Sequence, residues 1–300
     1  MNSSDSSDFS DSSRALAMAG RFRLARPATH ATALVEGHIH DSFLVTTEGG
    51  GRPAYVLQRL NRHVFPDVAR MARAVERVTT HQHRALAVAG VPDPARRALT
   101  VVPAMDGSPL AADDRGDHWR AFVEIPGARS HHRVEDPHLA REISGVAARF
   151  LVELSDLPGP PIEEAIPGFH DLAARRDGFE AAVAAADRST VAGCEAEIDA
   201  VRSLASVVDE LVAARRAGRL PERTVHNDAK ADNVLVDLRT GEGLCMIDLD
   251  TVGPGVVLFD FGDLVRSMAA GAAEDDVVAG GAEDDAGPPR VRRGLLEAVA

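Results

Sequence analysis

The stretch TVHNDAKADNVLVDLRTGEGLCMIDLDTVGPG, residues 224–255, decides how the rest of the chain is read. Within it, NVLVD (233–237) and LCMID (244–248) have the composition of two strands, and RTGEG between them is a turn. Antiparallel pairing with Asp237 opposite Gly243 sets position 233 opposite 247, so Asn233 falls beside Asp248. A strand that ran on would carry Asp250 on the same side as Asp248. Asp228 precedes the hairpin by a short loop, so oxygen ligands, an amide and a lysine converge at one end of it.

Those residue types suit phosphoryl transfer. Magnesium prefers oxygen ligands and takes one or two carboxylates besides phosphate oxygens, which Asn233 and Asp248 can complement. Asp228 can orient and deprotonate an attacking hydroxyl, and Lys230 can meet the charge on the moving phosphoryl group. Taken singly, each of these acids is as readily a turn former or a helix cap. Taken together, His226, Asp228, Lys230, Asn233 and Asp248 spell H-x-D-x-K-x-x-N followed by I-D. Lys230 is also the single lysine among 33 basic residues, a compact ammonium in a chain that otherwise uses arginine.

Outward from this segment, the order of elements is strand-rich first and helical afterwards, an α+β chain. ALVEGHIHDSFLVTT (33–47) reads as two strands joined by a turn at Gly37 to Ser42. PAYVLQRL (53–60) is a third strand, with Tyr55, Leu57 and Arg59 on one face and Val56, Gln58 and Leu60 on the other. Val68, Met71, Val75 and Val78 predict a helix over 67–89, and short strands follow at 98–103 and 119–125. Residues 137–156 and 178–216 read as helices, separated by a proline-rich irregular stretch. Residues 1–13, rich in Ser and Asp, are expected to be disordered. The acidic, Gly-rich stretch 271–289 is expected to be a loop. Val291, Leu295, Leu296 and Val299 make a short apolar stripe at the end.

Composition narrows the function. The chain has 300 residues, 45 % apolar and 26 % charged, with a net charge of −13. That balance argues against a nucleic-acid or membrane partner, both of which need a basic face. Two cysteines, Cys194 and Cys245, make no disulfide framework, and the acidic N-terminus is no secretory signal. The expected compartment is the cytoplasm.

The 226–250 segment resembles the catalytic and metal-binding segments of protein-kinase-like folds, with Asn227 where an arginine is usual and Asp248-Leu249-Asp250 in place of D-F-G. IDLD is typical of the aminoglycoside phosphotransferase and choline kinase branch. HNDAKADNVLVD, CMIDLDTVGPG, DFGDLVR (260–266), IPGFHDLAAR (166–175), YVLQRLN (55–61) and GHIHDSFLV (37–45) resemble loops of its N-acetylhexosamine 1-kinase group. The resemblance implies a two-lobe fold. A loosely ordered segment 1–30 precedes a β-rich N-lobe (31–126) and a helical C-lobe (127–300) holding the catalytic hairpin 226–250. It implies ATP and Mg2+ as cofactors, a small-molecule acceptor, and further helical chain beyond Ala300. His226 then supports the catalytic loop, Asp228 is the base, and Lys230 acts beside it. Asn233 and Asp248 hold magnesium, with Asp250 behind them. Gly37, His40 and Ser42 cover the phosphates, and Glu124 and Ile125 lie at the hinge that meets adenine.

Two choices stay open. Kinases commonly place a lysine on the third strand, and here either Arg59 or Gln58 takes that position. His170, Asp171 and Arg175 are equally a helix start or contacts to the acceptor. The leading acceptor is the anomeric hydroxyl of an N-acetylhexosamine or related sugar. The alternatives are an amino-alcohol of the aminoglycoside or choline kind, or a nucleotide-binding protein without turnover.

Overall fold

The computed structural model describes residues 3–34, 39–50 and 52–269. Gly37, the acidic stretch 271–289 and the apolar positions 291–299 lie outside them.

The first lobe is an antiparallel sheet of β1 (Ala28–Leu34), β2 (Asp41–Thr47), β3 (Tyr55–Arg59), β4 (Val101–Val102), β5 (Ala111–Ala112) and β6 (His118–Val123). Its order is β1-β2-β3-β6-β4, with β5 also pairing β6. The two faces of β3 go to different partners. Tyr55 and Leu57 join Phe43, Val45 and Trp119 in one apolar layer, while Phe122, on the opposite face of β6, joins the core of the second lobe.

Of residues 1–13, expected to be disordered, 3–13 lie in a helix. Helix α1 (Ser3–Ala19) covers the outer face of the sheet, where Ala15, Met18 and Ala19, followed by Phe22, are buried against Phe43, Leu57 and Trp119. The Ser/Asp half has weak helix propensity, but the apolar half that follows supplies the packing that short helices need. Arg14 pairs with Asp113 and with Asp117 (2.6 Å), and Trp119 Nε1 donates to Asp113 Oδ2 at 2.8 Å.

Helix α2 (Val68–Val88) starts where its periodicity placed it. Asp67 caps it by accepting the Arg70 N–H, and Val68, Met71, Val75 and Val78 are buried. After the short strand β7 (Ala128–Arg129) comes α3 (Pro137–Glu153), capped by Asp136 with Pro137 in the first turn. The helix expected over 178–216 is instead four: α4 (Leu172–Ala185), α5 (Arg188–Gly193), α6 (Glu195–Ser203) and α7 (Ala205–Arg216). Asp187 ends the first run because its carboxylate accepts the Ser189 and Thr190 N–H groups and so begins a new helix.

The hairpin follows as β8 (Arg223–Val225), β9 (Val234–Asp237) and β10 (Gly243–Met246), then β11 (Gly253–Gly255) and α8 (Val257–Ala269). Cys245 faces Leu235 and Met246 faces Val234, and the Ile247 N–H donates to the Asn233 carbonyl at 2.8 Å, in the expected register. The register slips at the turn, where Gly243 faces Val236. β10 packs on α3 through Ile143, Val146, Leu244 and Met246, and α8 lies behind the loop, its Ser267 Oγ accepting the Ala231 N–H at 2.9 Å. Among the described residues no helix is long and apolar enough to cross a membrane.

Gly243 is where α3 and β10 come closest. A Cβ there would lie 2.6 Å from the Glu142 carbonyl oxygen and from Val146 Cγ2. Gly243→Ala should therefore cost about 1–3 kcal/mol, the usual penalty of overpacking. Urea denaturation checks this, and an unchanged midpoint would show that α3 shifts freely.

Candidate active site

The loop between β8 and β9 is held from behind. The buried Asp260 carboxylate of α8 accepts the His226 N–H and the Asn227 N–H, each at 2.8 Å. Thr251 Oγ1 donates to the His226 carbonyl at 2.8 Å, and Asn227 Nδ2 donates to the Thr251 carbonyl at 3.0 Å. His226 is 0 % exposed, and its Nε2 lies 2.9 Å from the Ile247 carbonyl, which can only accept; that fixes the proton on Nε2. The imidazole therefore ties the loop to the end of β10 and is shut off from solvent. Asn227 sits at φ 66 and Asp248 at φ 57, left-handed conformations that non-glycine residues adopt when their surroundings hold them.

Asp228 projects from this loop and is partly exposed. Asn233 Nδ2 donates to Asp228 Oδ2 at 2.9 Å and to the Asp228 carbonyl at 2.8 Å, which fixes the carboxylate. Lys230 Nζ is 3.9 Å from Asp228 Oδ2. Asp248 stands at the end of β10, next to the Asn233 pairing position. Burial and then the Asp250 carboxylate push the Asp248 carboxyl above the usual range, against the pull of Arg120 and His226. An anion so disfavoured is relieved by a cation. Among the described residues no three His, Cys, Asp or Glu side chains are grouped to hold a metal ion. Asp248 and the Asn233 amide oxygen offer two donors, which fits an ion that takes its remaining ligands from phosphate and water, as magnesium does.

Asp250 does not share a strand face with Asp248. The chain leaves β10 after Met246 and makes a 3-10 turn over Leu249–Thr251, which turns Asp250 toward the first lobe. There its carboxylate is 2 % exposed, bound by both terminal nitrogens of Arg120 (Nη2 at 2.8 Å) and by His40 Nε2 at 2.6 Å. Burial alone would raise the Asp250 carboxyl; the Arg120 charge and the His40 hydrogen bond outweigh it and hold the group well below the usual range.

On β3 the two candidates face opposite sides of the sheet. Arg59 lies on the α1 side of the sheet, bonded to Asp41 (2.8 Å) and Asp11 (3.2 Å) and placed over the Trp119 ring. Gln58 lies on the opposite side, donating to Ser42 Oγ at 3.0 Å and accepting from Arg120 Nε at 2.9 Å. Ser42 and His40 thus share a network with Asp250. In the stretch expected to be the hinge, the Glu124 N–H is committed to the Ala54 carbonyl at 2.9 Å, and Ile125 is buried in the core.

Of the three residues in IPGFHDLAAR, His170 approaches the catalytic loop. Its Nε2 lies 2.8 Å from the Asn227 carbonyl, and its ring packs against Phe169 and Phe259. Asp171 caps α4 by accepting the Ala174 N–H at 3.1 Å, and Arg175 donates to the Phe169 carbonyl. A narrow cavity beside His170 is also lined by Glu164, Phe169, Arg215, Asn227 and Phe259.

Sequence reading did not single out Arg120 or Asp260. Asp260 had a signal, since it opens DFGDLVR, one of the stretches that carry the family likeness; Arg120 had none, because its partner is 130 residues away.

The model of a family described as the phosphotransferase enzyme family matches residues 30–293. Among solved structures, the amicoumacin kinase hAmiN in complex with AMP-PNP, Ca2+ and Ami aligns with a TM-score of 0.54 at 15 % identity, covering 89 % of this chain and 72 % of that one. A microcompartment-associated aminopropanol kinase aligns at 0.52 and 19 % identity, covering 84 % and 73 %. The spectinomycin phosphotransferase APH(9)-Ia, in complex with ADP and spectinomycin, aligns at 0.52 and 11 % identity, covering 83 % and 72 %. These likenesses establish the fold: a protein-kinase-like pair of lobes, antiparallel sheet first and helices second.

Proposed function

Because the chain belongs to the phosphotransferase enzyme family, we propose that it transfers the terminal phosphoryl group of ATP to a hydroxyl of a small molecule, with magnesium as cofactor. The observation that carries this reading is the grouping of Asp228, Lys230, Asn233 and Asp248 at one end of the β9–β10 hairpin. Asp228 accepts the proton of the acceptor hydroxyl as its oxygen bonds to phosphorus and the bond to the ADP oxygen breaks. Asn233 keeps the Asp228 carboxylate aimed. Lys230 meets the charge that builds on the phosphoryl oxygens. Asp248 and the Asn233 amide oxygen would hold magnesium, which when bound would neutralise phosphate charge. Asp250 is committed to Arg120 and His40 and acts behind Asp248 as a support. Gln58, facing the second lobe, fits the cleft side of β3 better than Arg59.

For the acceptor, we propose a neutral sugar, the anomeric hydroxyl of an N-acetylhexosamine or a relative. The motif likeness supports it. Steady-state ATP consumption across a panel of free hexoses, N-acetylhexosamines, aminoglycosides and choline tests this, with phosphorus NMR of the product. A sugar 1-phosphate is the expected result. Turnover on amino-alcohols alone would overturn the sugar assignment, and no turnover on any acceptor would overturn the kinase reading.

Lys230→Ala should lower kcat by about one to three orders of magnitude and change the KM for ATP by much less, since its charge acts on the departing phosphoryl group. Lys230→Arg should restore part of the loss, a forked guanidinium being a poor copy of a compact ammonium. Initial rates over an ATP titration decide it; a change confined to KM would make Lys230 a ground-state contact.

A further inference from the structure

Five side chains form a closed ring across the two lobes. Ser42 on β2 accepts from Gln58 on β3; Gln58 accepts from Arg120 on β6; Arg120 grips Asp250 in the turn after β10; and His40, two residues before Ser42, closes the ring on Asp250. Gln58 and Arg120 are register partners, so the link between them follows from strand pairing. His40 Nδ1 accepts the Asn61 N–H at 3.0 Å, which leaves Nε2 as the protonated donor to Asp250 and the imidazole neutral. Arg120 is 4 % exposed and lies over the Phe122 ring.

A buried ion pair of this kind is a poor source of stability, because desolvation of the two charges offsets most of their attraction. Its position suggests another role. Asp250 is two residues from Asp248, and the 3-10 turn that holds Asp248 in its left-handed conformation is anchored by Asp250. Every other member of the ring belongs to the first lobe, and His40 and Ser42 flank the start of β2. The lysine that β3 of a kinase usually offers to the cleft is absent, and the buried cation on this side of the sheet comes from the neighbouring strand.

We propose that Arg120 is a positioning residue: through Asp250 it locks the metal-binding turn to the first lobe, so that Asp248 is correctly placed for magnesium nucleotide only while the ring is closed. The proposal rests on the kinase reading above and adds to it which residue joins the lobes. The ring transmits the position of the β2 start directly to the turn that carries Asp248.

The test separates positioning from mere stability. In the double variant Arg120→Met with Asp250→Leu no buried charge is left unpaired, so the fold should survive. It should nevertheless bind Mg–ADP about 10- to 100-fold more weakly in calorimetric titration, the usual effect of losing an outer support of a metal ligand. Arg120→Lys should recover part of the affinity. Folded variants that bind Mg–ADP as tightly as the parent would overturn the proposal alone. A parent chain that binds no magnesium nucleotide would overturn the kinase reading together with it.

Discussion

Asp228→Asn should lower turnover by about two to four orders of magnitude, the range that a general base supplies. The amide keeps the size of the carboxylate and still offers an oxygen to Asn233 Nδ2, so the 2.9 Å bond and the loop survive. What is lost is the ability to accept the acceptor's proton as the new phosphate ester forms. Nucleotide affinity should change only a few-fold, because it depends on Asp248, Asn233 and the cleft. Single-turnover rates with saturating acceptor, beside calorimetric titration with Mg–ADP, measure the two quantities separately. Near-parental turnover in the variant would take the base assignment away from Asp228.

Asp260→Ala should be the most damaging single change for the fold of the site. One buried carboxylate accepts two backbone N–H groups, from His226 and Asn227, each at 2.8 Å. Removing it strands both donors, and each buried donor left without a partner costs about 1–3 kcal/mol, so the sum is about 2–6 kcal/mol. The loss falls on the loop that carries Asp228, so kcat should drop along with stability. Asp260→Asn keeps one acceptor oxygen and should lose roughly half as much. Chemical denaturation reads the stability and initial rates read the loop; an alanine variant with the parent's denaturation midpoint would mean that other donors and waters satisfy the loop.

The parts of the fold that were legible in the sequence are those set by local periodicity. Val68, Met71, Val75 and Val78 announce α2 because a three- and four-residue repeat has one natural partner, a core on one side. The hairpin register was legible because NVLVD and LCMID match across a short turn, and the Cys245–Leu235 and Met246–Val234 pairs agree with it. The slip at Gly243 arises in the turn, where Asp237 accepts the Arg239 and Thr240 N–H groups and its carboxyl is lowered to about 2. Alternation is silent about such side-chain locks.

What stayed hidden depends on tertiary contact. Alternation separates Gln58 from Arg59 but does not say which face meets the second lobe. That is decided by α1, which covers Tyr55 and Leu57 and takes Arg59 onto its own side through Asp11. The same helix looks like disorder in the sequence, because its Ser/Asp half conceals how much the Ala15–Phe22 half buries. Asp250 seemed to share the metal face of Asp248 only as long as the strand continued; the strand ends at Met246, and the turn that follows takes Asp250 away. The proposed catalytic group His226, Asp228, Lys230 and Asn233 escapes this difficulty because its members fall within eight consecutive positions.

The core beneath α1 also has an optical consequence. The chain has one tryptophan and one tyrosine, and Trp119 and Tyr55 both belong to that cluster. Near-ultraviolet emission therefore originates from the sheet lobe alone, and the helical lobe is dark to it. The far-ultraviolet ellipticity has the opposite bias, since α3 to α8 all belong to the second lobe. Superimposed unfolding curves from the two signals would mark a single cooperative unit, and separated curves two units, one per lobe. Without any added label, the protein thus reports which lobe has melted.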